Sequence, residues 1–161
     1  MPRHRTDHLT EDLYRRFSGS EIASRASQAI VLCTVDADGW PHPAMLSHFE
    51  VAAADRWILR LAVYNNSRTC ANMRERGKAT LVITDAGLVC YVSGTVEELV
   101  PAMREAPYNA KLKLSIAQVV FDEPPPDLEP GISVTSGITF SPRTAAALAR
   151  AHAILGELLE A

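Results

Sequence analysis

Residues 29–35 read Ala-Ile-Val-Leu-Cys-Thr-Val, and residues 36–39 read Asp-Ala-Asp-Gly. The first run is dense in β-branched residues and predicts a buried strand. The Asp-Gly pair that ends the second run is typical of the turn in a β-hairpin. A second strand is therefore predicted near residues 42–51, and a third near 56–63. The core of the protein is expected to start with an antiparallel hairpin.

The remainder of the chain contains more short apolar strands. They are predicted at residues 79–83, 89–96, 111–121 and 132–140. Gly94 lies inside one of them, which indicates a bulge or a close approach of two backbones. Short strands without alternating βαβ units favour a mainly β antiparallel fold, either a small closed barrel or a sandwich.

Helices are predicted at both ends of the chain and once in its middle. Their ranges are 10–17, 21–27, 67–76 and 142–159. The middle helix is expected to stop at Gly77, and the last to start at Ser141-Pro142, because serine caps a helix and proline fits its first turn. On the last helix, one face at helical spacing is predicted to carry Leu148, His152, Leu155 and Leu159.

The composition is that of a packed globular protein. The chain has 161 residues, 47% of them hydrophobic, and a net charge of −3. This length predicts a single domain over residues 1–161, with its β core at about 27–140. The mild charge offers no basic surface for nucleic acid. No apolar run is long enough to cross a bilayer, so no membrane partner is expected.

Two features favour a cytoplasmic protein. The polar start at residues 1–8 lacks the apolar core of a secretory signal. The cysteines Cys33, Cys70 and Cys90 are odd in number and widely separated, which argues against a disulfide framework or a zinc knuckle. We expect them to be reduced and to act as small apolar side chains.

The strongest candidate for a binding site is Ser67-Arg68. The pair follows a predicted strand and opens a predicted helix, whose free amides and positive dipole attract anions. The guanidinium of Arg68 adds a permanent charge with a geometry suited to phosphate. Together they would hold a phosphate monoester. The alternatives are that Ser67 is a simple helix cap and that Arg68 is a solvated surface residue.

Three stretches form a series along the chain. Residues 30–47 read Ile-Val-Leu-Cys-Thr-Val-Asp-Ala-Asp-Gly-Trp-Pro-His-Pro-Ala-Met-Leu-Ser, residues 64–72 read Tyr-Asn-Asn-Ser-Arg-Thr-Cys-Ala-Asn, and residues 92–97 read Val-Ser-Gly-Thr-Val-Glu. In order and spacing they resemble the opening hairpin, the phosphate-binding turn and helix, and the next strand of the pyridoxamine 5′-phosphate oxidase-like FMN-binding split-barrel family. The likeness covers about residues 27–99.

The resemblance implies a six-stranded antiparallel split β-barrel with short helices and a C-terminal helix. It also implies a homodimer with one FMN in each of two clefts between subunits, and a small-molecule substrate. Ser67 and Arg68 would bind the FMN phosphate. Other implied cofactor contacts are Met45, Leu46 and Ser47 along the isoalloxazine, and Tyr64, Asn65 and Asn66 at the ribityl and phosphate. The alternative for Met45 and Leu46 is plain barrel core.

Several positions depart from the family pattern. Thr69 stands where many relatives carry a lysine, Ala44 where the authentic oxidase has an arginine, and Phe49 where it has a lysine. The chain also ends in an Ala- and Leu-rich helix instead of a basic, Trp-containing strand. The expected function is therefore a flavin-dependent oxidoreductase that is not an authentic pyridoxamine phosphate oxidase. The alternatives are a non-catalytic flavin, deazaflavin or haem binding or sensing protein, and a dimeric scaffold without cofactor.

The remaining candidates are weaker. His42 and His48 share one face of the predicted second strand, but no further metal ligands accompany them, so structural or surface histidines are expected. His152 on the last helix is a candidate haem ligand, and Trp57 is expected in the core. A loop that borders the cleft is expected to contain Tyr108 and Asn109.

Overall fold

The computed structural model describes residues 3–161. Its strands are β1 (Arg3–Thr6), β2 (Ala29–Val35), β3 (Pro41–Ser47), β4 (Val51–Ala53), β5 (Ile58–Tyr64), β6 (Lys78–Asp85), β7 (Leu88–Val100) and β8 (Asn109–Asp122). Its helices are α1 (Glu11–Phe17), α2 (Ile22–Arg25), α3 (Arg68–Arg76) and α4 (Ala145–Leu159), together with a short 3₁₀ helix (His48–Glu50).

The strands form one curled antiparallel sheet. Its order is β3-β2-β6-β7-β8-β5-β4, and β1 pairs with β8. The mainly β, antiparallel fold predicted from the sequence is confirmed. Over the described residues the sheet has eight strands rather than six. The two additions arise because β1 joins β8, and because the 3₁₀ helix divides the predicted second strand into β3 and β4.

Alternation along the strands points every second side chain into a common core. On β2, Ile30, Leu32 and Thr34 are buried, while the residues between them are partly exposed. Two helices add apolar side chains to the same core. Helix α1 contributes Leu13 and Phe17, and helix α3 contributes Cys70 and Met73.

The helices α1 and α3 lie at opposite ends of the barrel. Arg16 of α1 hydrogen bonds at 3.2 Å to Gln28, which directly precedes β2. Arg76 of α3 donates at 2.6 Å to the carbonyl of Val35, the last residue of β2. One helix therefore closes the end of the barrel at which β2 begins, and the other closes the end at which β2 finishes.

Both predicted ends of α3 are confirmed. Ser67 is the N-cap, and its side-chain oxygen accepts a hydrogen bond from the Cys70 N–H at 3.1 Å. Gly77 is the C-cap, with a φ of +65° that favours glycine, and its N–H donates to the Met73 carbonyl at 2.9 Å. Local sequence signals thus set the length of this helix.

The bulge predicted at Gly94 is also confirmed. The register of β7 against β8 shifts between Ser93 and Gly94. A Cβ atom at position 94 would lie 2.2 Å from the carbonyl oxygen of Ser115. The two backbones therefore approach too closely for any side chain at this position.

The strand predicted at residues 132–140 is wrong. In this segment only Thr139 forms a bridge, to Gln28. The segment otherwise makes single backbone hydrogen bonds to the barrel, such as that from the Ala29 N–H to the Ile138 carbonyl at 2.9 Å. Its β-branched residues favour an extended backbone, but they do not supply a neighbouring strand edge on which a ladder can form.

The C-terminal helix differs from its prediction in start and in buried face. It is capped by Thr144, whose hydroxyl accepts from the Ala147 N–H at 3.1 Å. On the predicted face, His152 is exposed and Leu159 is 40% exposed, so the buried face is rotated from it. The small side chain of Ala151 instead lets the helix pack against Phe49 and its neighbours. The buried side chains facing this second core are Ala151, Ile154, Leu155 and Leu158.

Trp57 is not in the core, contrary to expectation. It precedes β5 and is 54% exposed, with its ring 5.7 Å from that of His8.

No helix among residues 3–161 is both long and apolar enough to cross a bilayer.

Candidate functional site

The predicted phosphate site is the N-terminus of α3. The Ser67 hydroxyl accepts a hydrogen bond from the Cys70 N–H at 3.1 Å and donates one to the Tyr64 carbonyl at 2.6 Å. The N–H groups of Arg68 and Thr69 occupy the two preceding helical positions, where the helix offers no acceptor. These amides are the donors that an anion would meet at this helix end.

Arg68 is exposed and forms no hydrogen bond or ion pair with any residue in the range 3–161. The other two arginines of α3 are occupied. Arg74 pairs with Glu98 at 2.5 Å, and Arg76 pairs with Glu75 at 3.2 Å. Arg68 is therefore the arginine of this helix whose charge is available to a ligand.

An open groove of about 480 Å³ runs along this helix end. Four of the residues predicted to contact the cofactor line it, namely Asn65, Asn66, Ser67 and Arg68. The side-chain amide of Asn65 donates to the carbonyls of Pro101 at 3.1 Å and Pro107 at 2.8 Å. Asn65 thus fixes the loop between β7 and β8 beside the groove, while Asn66 is exposed.

A second, smaller cavity of about 150 Å³ contains two more of the predicted residues, Ser47 and Tyr64. It lies between α4 and the ends of β3, β5 and the loop before β8. Tyr64, which lines this cavity, directly precedes Asn65, which lines the groove. The rings of Tyr64 and Tyr108 are both exposed, and their centroids lie 6.0 Å apart.

Two polar side chains of the smaller cavity lack a partner within the described part of the chain. Asn109 is 1% exposed, and its Oδ1 atom accepts no hydrogen bond. Arg150, on α4, is exposed and forms no ion pair or hydrogen bond. A buried acceptor without a donor costs about 1–3 kcal/mol. The Oδ1 atom of Asn109 is inaccessible to solvent, so Arg150 is the unpaired group that this cavity presents to a ligand.

Ser47 is occupied by a local turn. Its N–H and its hydroxyl donate to Oε1 of Glu50 at 2.9 and 3.0 Å. Burial raises the pKa of Glu50, although these hydrogen bonds and the charge of Arg143 oppose the rise. The N–H of Ser47 is thus engaged in this conformation, and the predicted contact of Ser47 with an isoalloxazine stays a prediction.

Met45 and Leu46 face opposite sides of β3. Leu46 is 4% exposed and belongs to the hydrophobic core, the position that the alternative interpretation gave it. Met45 is 52% exposed on the outer face of the sheet. Neither residue lines the groove or the smaller cavity, and their contact with a cofactor stays a prediction.

The sequence analysis did not identify Arg150 as a site residue. It predicted only that Asn109 borders the cleft. No local pattern distinguishes Arg150 from a solvated helix residue. It reaches the cavity because α4 packs on the 3₁₀ helix and β4, a contact set by Ala151 and its neighbours.

The opposite end of the barrel contains a buried ion-pair cluster that the sequence did not reveal. Arg16, 8% exposed, and Arg25 both donate to Oδ2 of Asp85, at 2.9 and 2.7 Å. Burial alone would raise the pKa of Asp85, but the hydrogen bond and charge of Arg16 and the charge of Arg25 lower it overall. Beside the cluster lies a cavity of about 570 Å³ with an apolar floor of Leu13, Leu88 and Phe121.

His48 packs beside this cluster. It is 3% exposed, stacks on Phe17 with ring centroids 5.5 Å apart, and places Nδ1 3.2 Å from the Gln28 carbonyl. Burial lowers the pKa of His48 to about 4, and the charges of Arg16 and Arg25 act in the same direction. The imidazole is therefore neutral at pH 7 and structural, as expected.

The other metal, haem and thiol candidates show no assembled site. Residues 3–161 contain no group of three His, Cys, Asp or Glu side chains that could hold a metal ion. His152 is exposed and contacts Phe49 edge-on at 5.0 Å. The three cysteines are free, and burial raises the pKa of Cys90 to about 12.

The sequence has a relative in Bacillus subtilis, the uncharacterized protein YclD. The two are 35% identical over 105 residues, which amount to 65% of this chain and 68% of YclD. The chain belongs to the same family as YclD. No protein-family model matches the chain.

Two solved structures share the fold of this YclD relative. One is a candidate pyridoxamine 5′-phosphate oxidase of Lactobacillus delbrueckii, 22% identical, with a TM-score of 0.58 over 74% of this chain and 98% of that chain. The other is an FMN-binding protein of Syntrophomonas wolfei, 16% identical, with a TM-score of 0.52 over 71% of this chain and 89% of that chain. The pyridoxamine 5′-phosphate oxidase-like split-barrel fold expected from the sequence is confirmed.

The residues of this YclD relative fit a flavin phosphate in their donor chemistry. The N-terminus of α3 offers two free amides and the unpaired charge of Arg68. The smaller cavity adds the unpaired guanidinium of Arg150. Thr69, which stands where the family pattern that the sequence resembles has a lysine, is 4% exposed.

Proposed function

We propose that this YclD relative binds FMN at the N-terminus of α3 and acts as a flavin-dependent oxidoreductase on a small molecule. A bound flavin supplies the redox chemistry, and the protein binds it, orients it and shields it from water. The proposal is supported by the fold shared with the FMN-binding protein of Syntrophomonas wolfei.

The observation that carries the proposal is the unpaired Arg68 at the open amide end of α3. Ser67 holds the start of the helix in place through its two hydrogen bonds. The N–H groups of Arg68 and Thr69 would donate to phosphate oxygens, and the guanidinium would neutralise phosphate charge. Asn65 would keep the neighbouring loop fixed through its bonds to Pro101 and Pro107.

The proposal is tested by the Arg68→Ala variant. Loss of one charge-assisted hydrogen bond costs about 1.5–3 kcal/mol, which is about tenfold or more in affinity. Titration of FMN fluorescence should show that loss. Arg15→Ala removes an exposed arginine of α1, at the opposite end of the barrel, and should leave the affinity unchanged. Equal FMN affinity in wild type and Arg68→Ala would show that the phosphate does not bind here.

Turnover is tested separately from binding. The FMN-loaded protein should be reduced by NADH or NADPH and reoxidised by a small planar or aromatic acceptor, followed by the loss and return of flavin absorbance. Tight, stoichiometric FMN that none of these donors reduces would instead favour the non-catalytic binding protein.

We further propose that the protein is a homodimer that pairs through the outer face of the sheet. One row of directly opposed residues crosses five strands, and a second row lies beside it. Across these five strands neither row contains a charged residue, and the first row continues onto the edge strand β1 at Arg5. The rows are Met45, Val31, Val82, Tyr91 and Val120, and then Pro43, Cys33, Thr80, Ser93 and Gln118. An uncharged face of this extent fits a second copy of the same face.

The dimer is tested by sedimentation. Wild type should sediment at twice the 17.6 kDa of the chain. Val82→Glu should shift it to the monomer, because the two-fold axis brings like charges into the interface. Ala149→Glu, on the exposed face of α4, should remain dimeric. A monomeric wild type at working concentration would contradict the proposal.

A further inference from the structure

We propose that Glu157 of α4 is a positioning residue for the flavin phosphate. Its buried carboxylate fixes the loop between β7 and β8, and this loop holds Asn65 in the turn that leads into α3. The inference rests on the proposed binding of FMN at the start of α3. It gives the C-terminal helix a part in that site, although none of the described residues that line the groove beside Arg68 belongs to α4.

Glu157 is a buried carboxylate whose hydrogen-bond partners are backbone amides. Its side chain is 4% exposed. Its Oε2 atom accepts from the Arg104 N–H at 3.1 Å, and its Oε1 atom accepts from the Glu105 N–H at 2.7 Å. The guanidinium of Arg104 pairs with Glu160 at 2.7 Å. Hydrogen bonds to a carboxylate are roughly twice as strong as those between neutral groups, so Glu157 sets the position of these two amides.

The loop between β7 and β8 is closed by its own hydrogen bonds. The Met103 N–H donates to the Asn109 carbonyl, and the Asn109 N–H donates to the Ala106 carbonyl, both at 2.8 Å. The side chains of Met103 and Ala106 are buried in the second core, but apolar packing has no direction. The two bonds to Glu157 therefore supply what packing does not, a fixed position of the loop backbone relative to α4.

The other side of the loop holds Asn65. The side-chain amide of Asn65 donates to the carbonyls of Pro101 at 3.1 Å and Pro107 at 2.8 Å, and its backbone N–H donates to the Tyr108 carbonyl at 2.9 Å. Asn65 lies two residues before the N-cap Ser67, in the turn that orients the first amides of α3. A shift of the loop therefore reaches those amides through Asn65, and hydrogen bonds weaken steeply once their donors are misaligned.

The test is the ratio of the dissociation constants of riboflavin and FMN in the Glu157→Gln variant. Glutamine keeps the shape of the side chain but has one acceptor oxygen, and its NH₂ group faces the second backbone N–H. The ratio should fall about threefold or more, the loss expected when a hydrogen bond between an amide and the phosphate is weakened. A residue with a structural role alone would lower stability and leave this ratio unchanged. Fluorescence titration measures both constants at a temperature at which circular dichroism shows the variant to be folded.

Two matched variants are the controls. Glu160→Gln removes a carboxylate from the same end of α4 that contacts the side chain of Arg104 and not the loop backbone, so the ratio should stay at its wild-type value. Asp85→Asn breaks an ion pair at the opposite end of the barrel, and it should lower stability without changing the ratio. An equal fall of the ratio in Asp85→Asn and Glu157→Gln would assign the fall to lost stability and overturn the proposal.

The outcomes separate this inference from the proposed function. An unchanged ratio in folded Glu157→Gln overturns the role of Glu157 and leaves FMN binding in place. Equal affinities of wild type for FMN and riboflavin overturn the phosphate site itself. If Glu157→Gln does not fold, Asn65→Ala breaks the same path at its other end, where a fall of about threefold or more supports the proposal and an unchanged ratio overturns it.

Discussion

The helices α1 and α3 close opposite ends of one barrel, and the two ends differ in how their arginines are paired. At the α1 end, Arg16 and Arg25 share the carboxylate of Asp85 inside a largely buried cluster. At the α3 end, Arg68 projects from the first turn without an ion pair in the described chain. The first arrangement uses its charges to hold the fold together. The second leaves a charge and two amides unused, which is the condition for binding an anion.

The largest loss of stability is expected when the ion-pair cluster of Arg16, Arg25 and Asp85 is broken. Asp85→Asn keeps the size of the side chain but leaves the buried Arg16 without a carboxylate, while Arg25 keeps its ion pair with Glu21 at 3.3 Å. Removing one member of a buried ion pair costs about 3–5 kcal/mol. Urea unfolding should show a loss of about 3 kcal/mol in the free energy of unfolding.

Asp38→Asn is the matched control for that experiment. Asp38 is exposed in the turn between β2 and β3 and forms no ion pair within residues 3–161. Its replacement should change the unfolding free energy by less than about 0.5 kcal/mol. Equal effects of the two substitutions would mean that the cluster does not stabilise this end of the barrel.

The next largest effect is a pH dependence at the same end. The pKa of His48 falls to about 4 in the folded state through burial, against about 6.5 in an unfolded chain. The unfolded state therefore binds more protons between these values, so stability is complete above pH 6.5 and is lost as the pH falls toward 4. The loss should total about 3 kcal/mol.

His48→Phe identifies the group responsible. Phenylalanine keeps a ring stacked on Phe17 and removes the titrating nitrogens, including the buried Nε2 that has no partner. Urea unfolding from pH 7 to 4 should then lose the part of the slope contributed by His48. Identical slopes in wild type and variant would assign the acid sensitivity to other groups. The lowered pKa of Asp85, in the neighbouring ion-pair cluster, places its titration below this window.

The smallest effect is expected at the α3 end. Arg74 and Glu98 form a partly exposed pair at 2.5 Å, and such surface pairs contribute less than about 1 kcal/mol. Glu98→Gln should therefore lower the unfolding free energy by less than 1 kcal/mol in the same urea assay. A loss as large as that of Asp85→Asn would remove the contrast between the two ends.

The same contrast explains which parts of the molecule were predictable. The strand at residues 29–35 and the helix from Ser67 to Gly77 follow from local signals: β-branched residues, a serine cap and a left-handed glycine. Strand β1 has the polar sequence Arg-His-Arg-Thr, and its pairing with β8 is a tertiary contact that periodicity does not encode. Residues 132–140 have strand composition but no partner edge.

The residues of the candidate site also fall into two groups, those that the sequence could predict and those that it could not. Ser67 and Arg68 are adjacent in sequence, so their shared position at a helix start could be predicted. Asn109 and Arg150 come together only because α4 packs against the second core. The cluster of Arg16, Arg25 and Asp85 joins segments far apart in the chain, and each member alone has the pattern of a solvated residue.

The ratio of the dissociation constants of FMN and riboflavin tests the central claim most directly, since the two ligands differ only in the phosphate. If the N-terminus of α3 binds that phosphate, wild type should bind FMN about tenfold more tightly than riboflavin, or better. Equal affinities for the two ligands would show that the unpaired arginine and the free amides of α3 do not bind phosphate.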